Sequence, residues 1–110
     1  MFELRESEIN GNGVFSTQDI PSGTEIGIWC CKDVSKGVRY LFNEGMECKW
    51  YETAILGRYC NHSSTPNTSV TKTDNELILI SNGILTGEEI LTNYNWATEH
   101  IGYNIDTSGL

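Results

Sequence analysis

The ten residues Arg58-Tyr59-Cys60-Asn61-His62-Ser63-Ser64-Thr65-Pro66-Asn67 constrain this chain more than any other stretch. Asn61, His62, Ser63, Ser64 and Thr65 carry short or hydrogen-bonding side chains that compete with the backbone for partners, and Pro66 removes a donor. A tight loop is therefore expected, with no room inside it for a helix or a regular strand. Ala54-Ile55-Leu56 precedes it and Leu77 to Ile80 follows, so apolar segments hold it against the core from both sides. A polar loop pinned in this way is rigid, and rigidly held loops are where binding and catalytic groups concentrate.

A chain of 110 residues makes one domain with a modest core and no separate substrate domain. Any surface that recognises a partner must then belong to the same unit. Seven Lys and Arg against 15 Asp and Glu give a net charge of −8, which argues against nucleic acid or anionic membranes as partners. An acidic body suits a basic partner such as a lysine-rich tail, although plain solubility explains the charge equally well. No stretch reaches the roughly 20 apolar residues of a membrane span, and Met1 to Glu6 lacks the apolar core of a signal peptide. An intracellular, soluble protein is expected, with Cys30, Cys31, Cys48 and Cys60 reduced. Their spacing matches no usual zinc pattern, and Cys60-x-His62 is a weak candidate for a metal pair. The sequons at Asn61 and Asn67 carry meaning only along a secretory route.

Many short strands are expected in order. Phe2 and Leu4 lie in a first strand that ends at Asn10-Gly11-Asn12-Gly13, and Val14-Phe15 resumes apolar character. Thr24 to Cys31 is rich in β-branched and aromatic residues and reads as a strand. Tyr40 to Tyr51 is expected to be irregular around one helical turn. Thr68 to Thr73 and Glu76 to Ile80 read as a hairpin whose Asp74-Asn75 turn tolerates positive φ. Glu89 to Tyr94 reads as a last strand, and Asp106 to Leu110 as a loose end.

Arg58-Tyr59-x-Asn61-His62-Ser63-x-x-Pro66-Asn67 resembles the Arg-Phe-x-Asn-His-Ser-x-x-Pro-Asn signature of SET-domain protein lysine methyltransferases. Gly11-Asn12-Gly13-Val14-Phe15 resembles that family's Gly-x-Gly-Val-Phe cofactor loop. Gly87-Glu88-Glu89-Ile90-Leu91-Thr92-Asn93-Tyr94 resembles its Gly-Glu-Glu-Leu-x-x-x-Tyr segment. Three ordered matches across most of the chain are specific, whereas Gly-x-Gly alone would not be. The resemblance implies a mainly β fold, the β-clip of several short curved sheets. It also implies a C-terminal pseudoknot in which the last strand threads beneath the loop after Asn-His-Ser. One SET domain would span 1–110, with residues 34–56 as a short variable insert and 95–110 as a tail without the family's zinc site. In length, the chain looks most like the minimal viral and bacterial SET proteins.

The implied chemistry is transfer of a methyl group from S-adenosylmethionine to the ε-amine of a lysine in a basic protein, histone or other. Gly11, Asn12 and Gly13 would let backbone approach the cofactor, since a Cβ would block it. Asn61 would meet its amino-acid end, the backbone of His62 its adenine, and Tyr59 would pack beside it. The His62 side chain itself reads equally as a structural imidazole. Lysine attacks only as a neutral amine, and its free pKa is about 10.4. A narrow apolar channel lowers that value by desolvation, which calls for aromatic walls rather than a general base. Tyr94 falls at the catalytic tyrosine, and Trp29 at an aromatic position bordering the channel. Val70 and Thr92 lie at positions that govern how many methyl groups are added, and neither supplies a limiting phenol. Glu88 and Glu89 read as turn and pseudoknot anchors, because neighbours on a strand face opposite sides.

Ser64 stands where zinc-binding relatives carry a cysteine, so no metal is expected. The channel must be closed by the tail, with Trp96 and Tyr103 as the apolar candidates, or by the second subunit of a homodimer. Both rings would otherwise be exposed. Two other readings stay open: a SET-fold module that binds cofactor or peptide without turnover, and a thiol catalyst built on Cys60 and His62.

Overall fold

The structure is a computed structural model that describes residues 1–105 and 107–108. The loose end expected from Asp106 onward falls, for residues 106, 109 and 110, outside the described residues.

Among the described residues, nine short strands and two short helices follow in order: β1 (Phe2–Glu6), β2 (Asn12–Ser16), β3 (Glu25–Cys31), β4 (Gly37–Leu41), β5 (Trp50–Thr53), α1 (Leu56–Tyr59), β6 (Asn61–His62), β7 (Thr68–Lys72), β8 (Glu76–Ser81), β9 (Glu89–Thr92) and α2 (Asn95–Ile101). They form a four-stranded sheet in the order β1-β2-β9-β6 and a five-stranded sheet in the order β4-β5-β3-β8-β7. This is the mainly β, SET-type architecture that the motifs imply. Among the described residues, no helix is long and apolar enough to cross a membrane.

Alternation drives the second sheet. In β8 the side chains of Leu77, Leu79 and Ser81 are buried while Glu76, Ile78 and Ile80 are only partly covered, the period-two pattern of a strand with one face on the core. Leu77, Leu79, Val14, Ile20, Ile84 and Ile90 are all at most 1% exposed. Burying each such side chain contributes about 1.5–3 kcal/mol, so this cluster carries much of the stability. Ser81 is buried at the rim of the cluster, where its hydroxyl donates to the Ile20 carbonyl at 2.9 Å.

The last strand is caught from three sides. β9 pairs antiparallel with β2 through Val14 and Ile90, and parallel with β6 through Asn61 and Leu91. Asn67, at the end of the polar loop, clasps it like a strand: its side-chain amide donates to the Glu89 carbonyl at 2.8 Å, and its side-chain oxygen accepts the Leu91 N–H at 2.9 Å. The Thr68 hydroxyl adds a bond to the Leu91 carbonyl at 2.7 Å. The loop from Asn61 to Asn67 therefore arches over β9, which is the threading the resemblance implied.

Several local expectations are corrected. The stretch expected to hold neither helix nor strand contains the end of α1 and the two-residue β6, because Thr53 and β9 provide partners that local sequence does not show. The Thr53 hydroxyl donates to the carbonyls of Ile28 and Trp29 and accepts the Gly57 N–H, bolting α1 to β3. The region from Tyr40 to Tyr51 has no helical turn. Its ends are strands, with Tyr40 opposite Tyr51 and Leu41 opposite Trp50. The Asp74-Asn75 turn uses no positive φ. It is closed instead by Thr73, whose N–H donates to the Glu76 carbonyl and whose hydroxyl accepts the N–H groups of Asn75 and Glu76.

The helix α2 was not expected at all. Ala97 and Ile101, one turn apart, are its buried face, and Gly102 ends it at φ 77°. The left-handed conformation costs glycine little and turns the chain back over the sheet. There the Thr98 hydroxyl donates to the Tyr103 carbonyl at 2.9 Å.

Candidate active site

The three motifs, far apart in the chain, converge on one place. Asn61 is 6% exposed. Its side-chain nitrogen donates to the Asn10 carbonyl at 3.1 Å and to a carboxylate oxygen of Glu89 at 2.8 Å. The other Glu89 oxygen accepts the Ser7 hydroxyl at 2.7 Å. A Cβ on Gly13 would collide with that same carboxylate and press on the Ser7 side chain. One carboxylate thus joins the glycine loop, the Asn-His turn and the late Gly-Glu-Glu segment. Glu88 serves the preceding turn, accepting the Leu85 N–H at 2.6 Å.

Tyr94 leaves β9 and stands at the N-terminal boundary of α2 rather than within a strand. Two contacts fix it. Its N–H donates to Nδ1 of His62 at 3.0 Å, with the two rings 5.1 Å apart and tilted by 49°. Its hydroxyl donates to the Cys60 carbonyl at 2.9 Å. The His62 side chain is therefore a structural support for Tyr94. Burial, reinforced by nearby acidic groups including Glu52 and Glu89, pushes the Tyr94 hydroxyl up to about 12. At neutral pH it is a protonated donor and cannot act as a base.

Tyr94 also faces a cavity of about 360 Å³. Trp29, Leu41, Ala97, Tyr103 and Ile105 give it apolar and aromatic walls, while Arg39, Glu52 and Arg58 bring charge. Trp29 is 2% exposed, so the sheet fixes its ring firmly. Of the side chains expected around a lysine channel, Trp29 and Tyr103 line this cavity with Tyr94. Val70, Thr92 and Trp96 are not among its walls. Trp96 and Tyr103 are both half-buried against the core, so neither ring needs a second subunit to cover it. Local sequence could not show this, because the cover comes from the packing of α2 and the turn at Gly102.

Thr92 is fully buried, and its hydroxyl has no hydrogen-bond partner among the described residues. An unpartnered buried hydroxyl costs about 1–3 kcal/mol. Thr92→Val, which keeps the shape and removes the hydroxyl, is expected to raise stability by about 1 kcal/mol in chemical denaturation.

Around Asn61 lie the residues that the resemblance assigns to S-adenosylmethionine. Gly11 has φ 47° and open space around it, while the space beside Gly13 is taken by the Glu89 carboxylate. Both hydrogen bonds of the Asn61 side chain use its nitrogen, which leaves its oxygen as an open acceptor for an amine. Asn12 is exposed on the same loop, and Tyr59 is half-buried beside its own neighbour, with the Arg58 guanidinium 5.6 Å from its ring centre.

Cys60 and His62 do not form a catalytic pair. The Cys60 thiol donates to the Ile90 carbonyl at 3.1 Å while Nδ1 of His62 serves Tyr94. Burial pushes the thiol up, far from the range where thiolates form. Among the described residues, no group of three or more His, Cys, Asp or Glu side chains is placed to hold a metal ion. Sequence reading missed the charged wall of the cavity. Glu52 was the available signal, an acidic residue between Trp50-Tyr51 and Thr53 in an otherwise apolar strand pattern.

No curated protein matches the chain by sequence. Among solved structures, a Plasmodium falciparum protein described as a histone methyltransferase is similar over 86% of this chain and 96% of its own, with 26% identity and a TM-score of 0.61. An active polycomb repressive complex 2 in the stimulated state is similar over 86% of this chain, with 26% identity and a TM-score of 0.65. The Chaetomium thermophilum polycomb repressive complex 2 shares the fold over 96% of this chain, with 24% identity and a TM-score of 0.67. The chain spans only 15% and 16% of those two polycomb chains. Residues 11–95 match the SET domain as a family. With the three motifs joined through Glu89 in a β fold of this type, the chain belongs to the SET domain family.

Proposed function

We propose that this protein transfers methyl groups from S-adenosylmethionine to the ε-amine of a lysine in a basic protein. Lysine methyl transfer is the activity toward which the family and the histone methyltransferase neighbour point in general. The observation that carries the reading here is the position of the Tyr94 hydroxyl. It is tied to the Cys60 carbonyl, one residue from Asn61, on a side chain that lines a cavity with Trp29 and Tyr103.

S-adenosylmethionine, when bound, supplies a methyl group on a sulfonium. Gly11, Asn12, Gly13, Tyr59, Asn61 and His62 would hold it, with the Asn61 oxygen taking its amine and the glycine loop taking its main body. Trp29 and Tyr103 exclude water from the substrate amine, which favours its neutral form. The Tyr94 oxygen, whose proton is given to the Cys60 carbonyl, accepts an N–H of the amine and leaves its lone pair free, and orientation of this kind accounts for a large share of a transfer barrier.

The finer assignments belong to the same reading. The unit is a single SET domain with residues 34–56 as a short insert, of the minimal type found in viruses and bacteria. The tail from residue 95 closes the channel through Tyr103 rather than through zinc or a homodimer. Four free cysteines suit a reducing, intracellular compartment.

Calorimetry with S-adenosylmethionine, followed by mass spectrometry of a mixed basic-protein substrate incubated with labelled cofactor, tests the proposal. Cofactor binding without label transfer would favour a binding module, and no binding would remove the reading altogether. Asn61→Ala is expected to weaken cofactor binding about tenfold, or about 1.4 kcal/mol, because it removes the acceptor and unties Asn10 from Glu89. Unchanged affinity in that variant would contradict the assigned role.

A further inference from the structure

The cavity beside Tyr94 carries an acid that methyl transfer does not use. Glu52 sits on β5 with its side chain only 10% exposed, yet the ion pair it makes is loose: Nε of Arg39 lies 3.5 Å from one carboxylate oxygen. Arg39, directly across on β4, is itself 61% exposed. No hydrogen bond joins the Glu52 carboxylate to any other described residue. The arrangement is lopsided, with a sequestered anion facing a cavity and a solvent-exposed guanidinium resting against it.

Burying a carboxylate is costly unless it is well paired; Arg39 is exposed, and Arg58 on the same cavity wall attracts Glu52 without a direct ion pair among the described residues, so the pairing is incomplete. A pure structural clamp between β4 and β5 would be better made by the aromatic and aliphatic pairs that flank it, Tyr40 with Tyr51 and Leu41 with Trp50. Arg39 holds in place a site that accepts a guanidinium and that another cation can enter from the cavity.

The target amine is not that cation. A carboxylate in contact with it would favour the ammonium, which cannot attack. A second basic side chain, flanking the target lysine, meets no such objection. It also agrees with the chain's net charge of −8, which attracts basic segments at long range without reading their sequence.

Resting on the proposed lysine methyl transfer, we infer that Glu52 is a specificity-determining residue that binds an arginine or lysine next to the target lysine, displacing Arg39. Glu52 selects the substrate and Arg39 competes with it. The two side chains therefore have opposite effects, which a structural ion pair does not produce.

The test uses two synthetic peptides with one acceptor lysine, one flanked by alanines and the other by arginines within three positions on each side. Binding is measured by calorimetry with S-adenosylmethionine present, and methyl transfer is followed in parallel as KM and kcat. The wild type is expected to bind the arginine-flanked peptide about tenfold more tightly. Glu52→Gln, close in shape, abolishes that preference by raising KM with kcat little changed. Arg39→Met, at an exposed position that leaves the fold intact, enlarges the preference several-fold. Preference retained in Glu52→Gln, or weakened in Arg39→Met with an unchanged melting temperature, would overturn the inference. Peptide selection by Glu52 without any methyl transfer would instead overturn the proposed activity and leave the selector standing.

Discussion

Tyr94→Phe is expected to lower turnover about 100-fold, equivalent to about 2.7 kcal/mol of barrier, while cofactor affinity stays within about twofold. The phenyl ring keeps its place, because the Tyr94 N–H is still held by His62 and the rings still pack 5.1 Å apart. Only the hydroxyl is lost, and with it the bond to the Cys60 carbonyl at 2.9 Å that fixes the polar rim of the cavity. The hydroxyl's ionisation, pushed up to about 12 by burial, lies well above neutral pH, so it does not shape the physiological pH dependence. The rate of both wild type and variant rises with pH as the substrate amine loses its proton, the variant lower throughout. Single-turnover rates with labelled cofactor, paired with calorimetry, check the division. A variant that loses cofactor affinity as strongly as rate would show that Tyr94 supports the cofactor site instead.

Asn67→Ala is expected to reduce the free energy of unfolding by about 3 kcal/mol. The alanine leaves the Glu89 carbonyl and the Leu91 N–H without the side chain that clasps them, and each unpartnered backbone group costs about 1–3 kcal/mol. Asn67→Asp keeps the acceptor and loses the donor, so it should fall between the two. Because the clasp holds β9 beneath the loop, Asn67→Ala should also loosen the Glu89 carboxylate that joins Gly13 to Asn61, and weaken cofactor binding. Urea denaturation gives the stability, and a loss below about 1 kcal/mol would show that the neighbouring Thr68 bond holds the strand alone.

Much of the core was legible in the sequence because it rests on period-two patterning. Leu77 and Leu79 alternate with half-covered neighbours as a strand demands, and Val14 and Ile90 lie in segments already apolar in the chain. Helices were not legible. α1 is only four residues long, too short to leave a periodic signal, and it is held by Thr53 from another strand. α2 did leave traces, Ala97 and Ile101 one turn apart and Gly102 behind them, but the strand read from Glu89 to Tyr94 ran up to its start.

The candidate site divides in the same way. Gly13, Asn61, His62 and Tyr94 were marked by the motifs that resemble the SET signatures, and their proposed roles come with that resemblance. Their partners were not. The His62 bond to Tyr94, the triple use of Glu89 and the placing of Glu52 in the cavity each join residues tens of positions apart, and no local rule brings them together.

The sequence by itself determined the family, through three ordered motifs, and which strand faces meet the core, through alternation along the chain. Only the tertiary structure decided which hydrogen bonds Tyr94 and Asn61 make, that Thr92 is sealed away from the cavity, and that Glu52 faces it. Those outcomes depend on strands paired across long sequence separations, where the partner of a buried polar group is chosen by packing rather than by its neighbours in the chain.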